Sequence, residues 1–128
     1  MAKEGQGGAG NLGRPLVQGV SSHAIVTLDS AGLVVSCSLG AERLTGYKAE
    51  DIVGQPFSRF YIPEDVALGK PEDGLARAVA DGCFEDEGMR LRKDGSRFLA
   101  TFSITPIYDH SPDPVGFVTI TRESTKAG

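Results

Sequence analysis

The chain has 128 residues, a length that fits one globular domain. Its 40% hydrophobic and 23% charged residues are typical of a folded protein and exclude a disordered chain. The formal net charge is -4 and the basic residues are scattered, so nucleic acid is not an expected partner.

The first 21 residues are expected to contain little regular structure apart from one short helix. Residues 1–13 are rich in glycine and poor in apolar groups, which predicts a flexible lead-in. Leu16, Val17 and Val20 have helical spacing, so residues 14–21 are expected to form a short N-terminal helix. No secretory signal precedes them and no apolar run approaches the length of a membrane span, so we expect a cytoplasmic protein without membrane insertion.

The first half of the chain predicts a hairpin followed by short helices. Residues 24–29 and 33–38 have the composition of strands, and a turn separates them. Short helices are predicted at 41–44, 50–53 and 64–68, between glycines and prolines. A longer helix is predicted at 71–81, with proline and acidic residues in its first turn.

The second half predicts three further strands, at 83–92, 97–108 and 115–122. Asp94-Gly95 between the first two is a strong hairpin signal. Because strands and helices do not alternate, no parallel sheet is required. The sequence therefore predicts an α+β fold, in which a five-stranded antiparallel sheet carries short helices on one face.

Three motifs stand in order along this predicted fold. They are residues 40–47 with 49–54, residues 57–65, and residues 92–98 with 104–107. In this order they resemble the PAS domain, a sensory and dimerisation module of many bacterial signalling proteins. The resemblance covers residues 22–125 and implies a sheet with strand order 2-1-5-4-3.

The cysteines and histidines predict neither a disulfide nor a metal site. Cys37 and Cys83 are accompanied only by His23 and His110, and the four are dispersed along the chain rather than spaced as metal ligands. The strand order implied by the resemblance places the two cysteines at opposite sheet edges, too far apart for a disulfide. We therefore interpret both as free thiols in a reduced compartment.

Two cofactor types known in PAS relatives can be tested on the residues. The blue-light LOV branch needs Asn-Cys-Arg-Phe, where this chain has Phe-Ser-Arg-Phe at 57–60, so Ser58 stands in place of the flavin-binding thiol. The residues aligned with the flavin-contacting amides are Arg90, Ala100 and Thr121. A LOV-type adduct is therefore disfavoured.

A histidine-ligated haem is disfavoured too, because the long helix at 71–81 contains no histidine. His23 and His110 are interpreted as surface residues. Noncovalent flavin and haem held by another residue stay open, and the cofactor, if any, is unknown.

Alternation along the last strands predicts which side chains face the helices. The candidate pocket consists of Phe60, Arg90, Phe98, Ala100, Phe102, Phe117 and Thr121. Ile104, Val115 and Thr119 are expected to face the same way, and a filled core against Leu44, Ile52, Leu75 and Val79 is favoured over a large cavity. A buried Arg90 is expected to pair with a carboxylate from 85–87 or 64–65, or else to meet an anionic ligand.

The other sheet face is predicted to be apolar, since Met89, Leu91, Leu99, Val118 and Ile120 would point outward. Residues 14–21 or a second copy of the chain would cover this face, and the resemblance favours a homodimer. Residues 121–125 resemble a degenerate Asp-x-Thr output element, which assigns signal output to Arg122, Glu123 and Thr125.

Catalytic motifs are not found in the sequence. Adjacent acidic residues stand where helices begin, and neither a nucleophile elbow nor a P-loop is present. We expect a non-catalytic sensory and dimerisation module that acts on a downstream effector such as a histidine kinase. The alternatives are a flavin- or haem-bearing redox or light sensor, and a ligand-free docking scaffold.

Overall fold

The computed structural model describes residues 23–124, which form five strands and several short helices. The strands are β1 (Ala24–Asp29), β2 (Val34–Cys37), β3 (Phe84–Leu91), β4 (Arg97–Ile107) and β5 (Gly116–Glu123). The helices are α1 (Leu39–Thr45), α2 (Ala49–Ile52), α3 (Pro63–Ala67) and α4 (Lys70–Asp81), with a 3-10 helix at Phe57–Phe60. Each expected strand and helix within residues 23–124 is present, with bounds shifted by a few residues at most.

The strands form one antiparallel sheet in the order β2-β1-β5-β4-β3, which confirms the predicted topology. In this register Ala24 lies opposite Thr121, and Thr121 lies opposite Phe102. Arg90 lies opposite Phe98 on the other side of β4. Side chains from four strands therefore meet on one face of the sheet.

Local chemistry fixes where the helices begin and end. The Ser38 hydroxyl accepts a hydrogen bond from Ala41 N at 3.1 Å, which caps α1, and another from Ile25 N at 3.0 Å. Helix α1 ends at Gly46, whose φ of 82° is left-handed. Helix α4 likewise ends at a left-handed Gly82, the residue that follows the predicted helix at 71–81.

The core lies between the sheet and the helices. Ala41 and Ile52 from the helices are fully buried against Val34, Ile104 and Phe117 from the strands. On α4 the buried stripe is Pro71, Gly74 and Ala78, so two expectations are corrected. Val79 is 42% exposed because it lies one step around the helix from that stripe, and Val115 is 45% exposed because it precedes β5.

Some expectations lie outside the described residues. These are the flexible lead-in at 1–13, the short helix at 14–21 and the output residue Thr125. Among the helices of residues 23–124, none is both long and apolar enough to cross a bilayer.

Candidate functional site

A small cavity of about 40 Å³ lies between the sheet and the helices. Its lining includes five residues of the predicted pocket, namely Phe60, Arg90, Phe98, Phe102 and Thr121. Ala100 and Phe117, the other two, are not in the lining. Both are almost fully buried in the packed core beside it. The alternation therefore predicted their direction correctly but not their distance from the cavity.

The structure adds lining residues that were not among the predicted pocket residues. Ala24 and Val26 come from β1, and Tyr61 follows the 3-10 helix. The alternation of β1 is a signal that could have identified the first two. The backbone of Tyr61 forms an isolated antiparallel β-bridge with that of Arg90, which places Tyr61 beside the cavity. No local sequence pattern predicts this pairing.

Arg90 is 5% exposed and is held between two aromatic rings. Its Cζ atom lies 3.8 Å from the ring centroid of Tyr61 and 4.0 Å from that of Phe102. Its Nη1 donates a hydrogen bond to the Met89 carbonyl at 3.2 Å. Stacking on both faces of a desolvated guanidinium is a favourable cation–π arrangement.

The expected carboxylate partner of Arg90 is not found, because none of the acidic residues in the described range forms an ion pair with it. Glu64 instead pairs with Arg97 at 2.8 Å. Residues 85 and 87 point to the opposite sheet face, as their place in β3 requires. Two aromatic rings, rather than a carboxylate, are the side chains packed against its guanidinium.

Burial governs the titration of the Arg90–Tyr61 pair. It lowers the pKa of Arg90 below its ordinary value, while Tyr61, Asp65 and Asp86 partly oppose this change. Burial also raises the pKa of Tyr61, and Arg90 counteracts part of that increase. Because arginine stays protonated in proteins, the site contains a buried positive charge beside a neutral phenol.

An outer groove of about 280 Å³ lies on the other side of Arg90. Tyr61, Arg90 and Phe102 line both the groove and the cavity, so they form the wall between the two spaces. Among the groove's other basic residues, Lys70 pairs with Asp65 at 3.7 Å and Arg77 with Asp73 at 2.7 Å. Arg90 differs from both in having no acidic partner within residues 23–124.

The residues present do not fit an adduct-forming flavin. Ser58 lies in the 3-10 helix, where its carbonyl accepts a hydrogen bond from Tyr61 N at 3.0 Å, and it offers a hydroxyl instead of a thiol. Arg90, Ala100 and Thr121 supply none of the amides that the flavin ring would need. The cavity is also far smaller than the roughly 300–1,000 Å³ typical of cofactor sites.

Haem ligation by histidine also finds no suitable residue in the described part of the chain. Helix α4 contains no histidine, and the cavity lining contains none either. His23 precedes β1, and His110 is exposed in the loop between β4 and β5. Within residues 23–124 no group of three or more His, Cys, Asp and Glu is arranged to hold a metal ion.

The output end of β5 is held by Arg92. Its Nη2 lies 3.2 Å from Glu123 Oε1, and its Nε donates to the Leu44 carbonyl at 3.1 Å. Its guanidinium also lies 4.4 Å over the Phe98 ring. Of the residues predicted for output, Glu123 therefore joins this network, whereas Arg122 is exposed.

The outer face of the sheet is apolar, in agreement with the expected alternation. Ile25, Leu99, Ile107 and Ile120 are each between 37% and 39% exposed. Met89, Leu91 and Val118 on the same face are partly buried. This face therefore exposes more hydrophobic side chains than is usual for a sheet face in contact with solvent.

Comparisons with known proteins agree with this geometry. The sequence profile of the PAS domain family matches residues 22–126. The Two-component system protein A of Emericella nidulans is 47% identical over 111 residues, which cover 87% of this chain but only 16% of that protein. This relative is fungal, whereas the sequence resemblance pointed to bacterial signalling proteins.

Solved structures show the same fold. The PAS domain of a protein from Colwellia psychrerythraea superposes with a TM-score of 0.74 at 30% identity, over 88% of this chain and 98% of that one. A blue-light activated histidine kinase from Erythrobacter litoralis shares the fold alone, with a TM-score of 0.63 at 20% identity over 83% of this chain and 35% of that one. PAS domains are generally non-catalytic sensory modules. The chain belongs to the PAS domain family and is a PAS signalling domain with a relative in a two-component system.

Proposed function

We propose that this domain senses a small ligand in its interior cavity and passes the signal through β5 to an effector such as a histidine kinase, within a cytoplasmic two-component protein. The domain itself carries out no catalysis in this proposal. The observation that carries it is that one strand lines the cavity and ends at the output network.

The route from cavity to output is short. Thr121 lines the cavity, and Glu123 follows it on the same face of β5 because side chains alternate along a strand. Glu123 is paired with Arg92. A change in the position of Thr121 is therefore transmitted along the backbone to this ion pair.

A second route reaches the same ion pair through Phe98. This ring lines the cavity, and the Arg92 guanidinium lies over it. Arg92 also donates to Ser96 Oγ at 3.3 Å and to the Leu44 carbonyl of α1. Moving Phe98 would disturb the hydrogen bonds that hold the end of β5 to the helical layer.

The relatives support the choice of effector. The relative from Emericella nidulans is a two-component system protein, and a chain with the same fold occurs in a histidine kinase. Since this chain covers 16% of the former and 35% of the latter, each has ample length outside the shared domain.

The test joins this domain to a histidine kinase core and measures autophosphorylation. Thr121→Leu fills the cavity, and Glu123→Gln removes the charge that pairs with Arg92. Each is expected to change the rate by about fivefold or more, the lower range of measured couplings between sites. Arg97→Gln, which breaks the exposed pair with Glu64, is the matched control and should leave the rate unchanged. If all three variants fold and match the wild-type rate, the proposal is wrong.

We also propose that two copies pair through the outer sheet face, together with residues 14–21. A charge placed in that apolar face should prevent pairing, so Ile120→Glu is expected to shift the mass in sedimentation equilibrium from dimer to monomer. Leu68→Glu changes an exposed hydrophobic residue outside the sheet and should remain dimeric. A wild-type protein that stays monomeric at high concentration would exclude this arrangement.

A further inference from the structure

The lining of the interior cavity combines an apolar surface with a single charge. Phe57, Phe60, Phe98 and Phe102 contribute four aromatic rings to it. Arg90 is the only charged residue among the described residues that line the cavity. An apolar space with one positive charge is suited to a ligand with one negative charge and an apolar body.

Arg90 has hydrogen-bonding capacity that the described residues do not use. Nη1 donates to the Met89 carbonyl, and the Tyr61 side chain is a second hydrogen-bond partner, while a guanidinium has five N–H donors. The rings of Tyr61 and Phe102 cover both faces of the guanidinium, which leaves its edge for further donation. A guanidinium edge matches the two oxygens of a carboxylate, and buried donors without acceptors are costly.

Thr121 supplies a second polar group in the same lining. The Thr45 and Thr119 hydroxyls donate to the carbonyls of Ala41 and Val26, at 2.7 Å and 3.0 Å. The Thr121 hydroxyl forms no hydrogen bond with another residue in the described part of the chain. It is thus able to donate to a bound anion.

Charge distribution favours the cavity over the outer groove for such an anion. The groove lining includes the acidic residues Asp65, Asp73 and Asp86, of which Asp65 and Asp86 act electrostatically on Arg90. These carboxylates offset the positive charge of Arg90 on the groove side, which makes the groove the less favourable place for a negative ligand. The cavity lining contains no acidic residue among those described.

The cavity volume limits the ligand to a few heavy atoms. One water molecule needs roughly 10–15 Å³ of cavity volume measured in the same way, so about 40 Å³ admits a molecule of a few heavy atoms. We infer that the ligand is a short-chain monocarboxylate, whose carboxylate binds the edge of Arg90 and the Thr121 hydroxyl while its alkyl part contacts Phe98 and Phe102. This inference rests on the proposed function, because it names the ligand of the same cavity.

The test compares sodium propionate with propionamide, a neutral molecule of the same size. Binding to the whole chain is followed by NMR titration, with acetate and butyrate added to define the chain length. Propionate is expected to bind saturably, and propionamide about tenfold or more weakly, because charge-assisted hydrogen bonds are the stronger ones. Arg90→Gln should weaken propionate binding by a similar factor and Thr121→Val by less. Arg97→Gln should bind as wild type does.

The outcomes separate this inference from the proposed function. Equal binding of propionate and propionamide, or equal loss in Arg97→Gln and Arg90→Gln, would overturn the carboxylate inference. If Arg90→Gln loses its dispersed NMR spectrum, Thr121→Val and the amide comparison still decide the result. If no carboxylate binds but Thr121→Leu alters the kinase fusion, the inference fails and the proposed function stands. If propionate binds but leaves that fusion unchanged, the binding site stands and the proposed function fails.

Discussion

Strands β1 and β3 lie in different regions of the sheet and differ in the side chains that they direct toward the helices. On β1 the inward residues are Ala24, Val26 and Leu28, all buried and apolar. On β3 the inward positions after Phe84 are Asp86, Gly88 and Arg90, while Met89 and Leu91 point outward. The first strand supplies only apolar side chains, to the core and, through Ala24 and Val26, to the cavity lining. The third strand supplies Arg90, the one charged residue among the described residues that line the cavity.

The space around the backbone also differs between the β1–β5 contact and β3. A Cβ atom added to Gly116 would clash with the Leu28 carbonyl oxygen, so β5 and β1 approach too closely for a side chain there. A Cβ atom added to Gly88 on β3 would meet nothing closer than Arg90 Nη1 at 3.9 Å. The β1–β5 contact has no spare room, whereas β3 retains some.

The largest effect is expected from truncating the core at the β2 side. Ile52 of α2 is fully buried, so Ile52→Ala should lower the free energy of unfolding by about 2–5 kcal/mol. Val79→Ala, on the exposed side of α4, should change it by less than about 0.5 kcal/mol. Urea unfolding followed by circular dichroism measures both. Equal losses would contradict the difference in burial between Ile52 and Val79.

An intermediate effect on stability is expected from replacing a glycine by alanine, either at the β1–β5 contact or on β3. Gly116→Ala forces β1 and β5 apart and should lower the free energy of unfolding by about 1–3 kcal/mol, the usual range for overpacking. Gly88→Ala has room for its methyl group and should be close to neutral. The same urea titration compares them, and a larger loss in Gly88→Ala would show that β3 is the more tightly packed strand.

The smallest effect concerns the exposed pair between Glu64 of α3 and Arg97 of β4. Arg97 holds the pKa of Glu64 below its ordinary value of 4.5. Because the folded-state pKa is lower than the unfolded one, the ion pair stabilises the fold above the unfolded pKa. This stabilisation is lost as the pH falls through the folded pKa. Wild type should therefore lose more stability than Glu64→Gln between about pH 6 and pH 3, as urea midpoints would show. A steeper loss in the variant would contradict this.

Much of the fold was predictable because its strands carry clear alternation. Phe98, Phe102 and Ile104 all face the helices, as the period of β4 required. The strand order was implied by the resemblance to the PAS domain, and Gly82 ends α4 directly after the predicted helix 71–81. The alternation and the helix end depend on local chemistry, which a single sequence contains.

The surroundings of Arg90 were only half predictable. Alternation indicated that its side chain faces inward, but the expected acidic partner was wrong. Its neighbours come from two distant places, Tyr61 after the 3-10 helix and Phe102 across the sheet. Contacts of this kind depend on how separate elements pack, and so does the difference between a lining residue and a core residue such as Ala100.

The two free thiols lie at opposite edges of the sheet, and this has a practical use. Cys83, just before β3, is exposed, whereas Cys37 at the end of β2 is half-buried. Burial and nearby Glu42 raise the pKa of Cys37, which slows its reaction with alkylating reagents. A probe attached under mild conditions would therefore label Cys83 first, and labelling both would give a natural pair of markers for measuring how the width of the sheet changes during signalling.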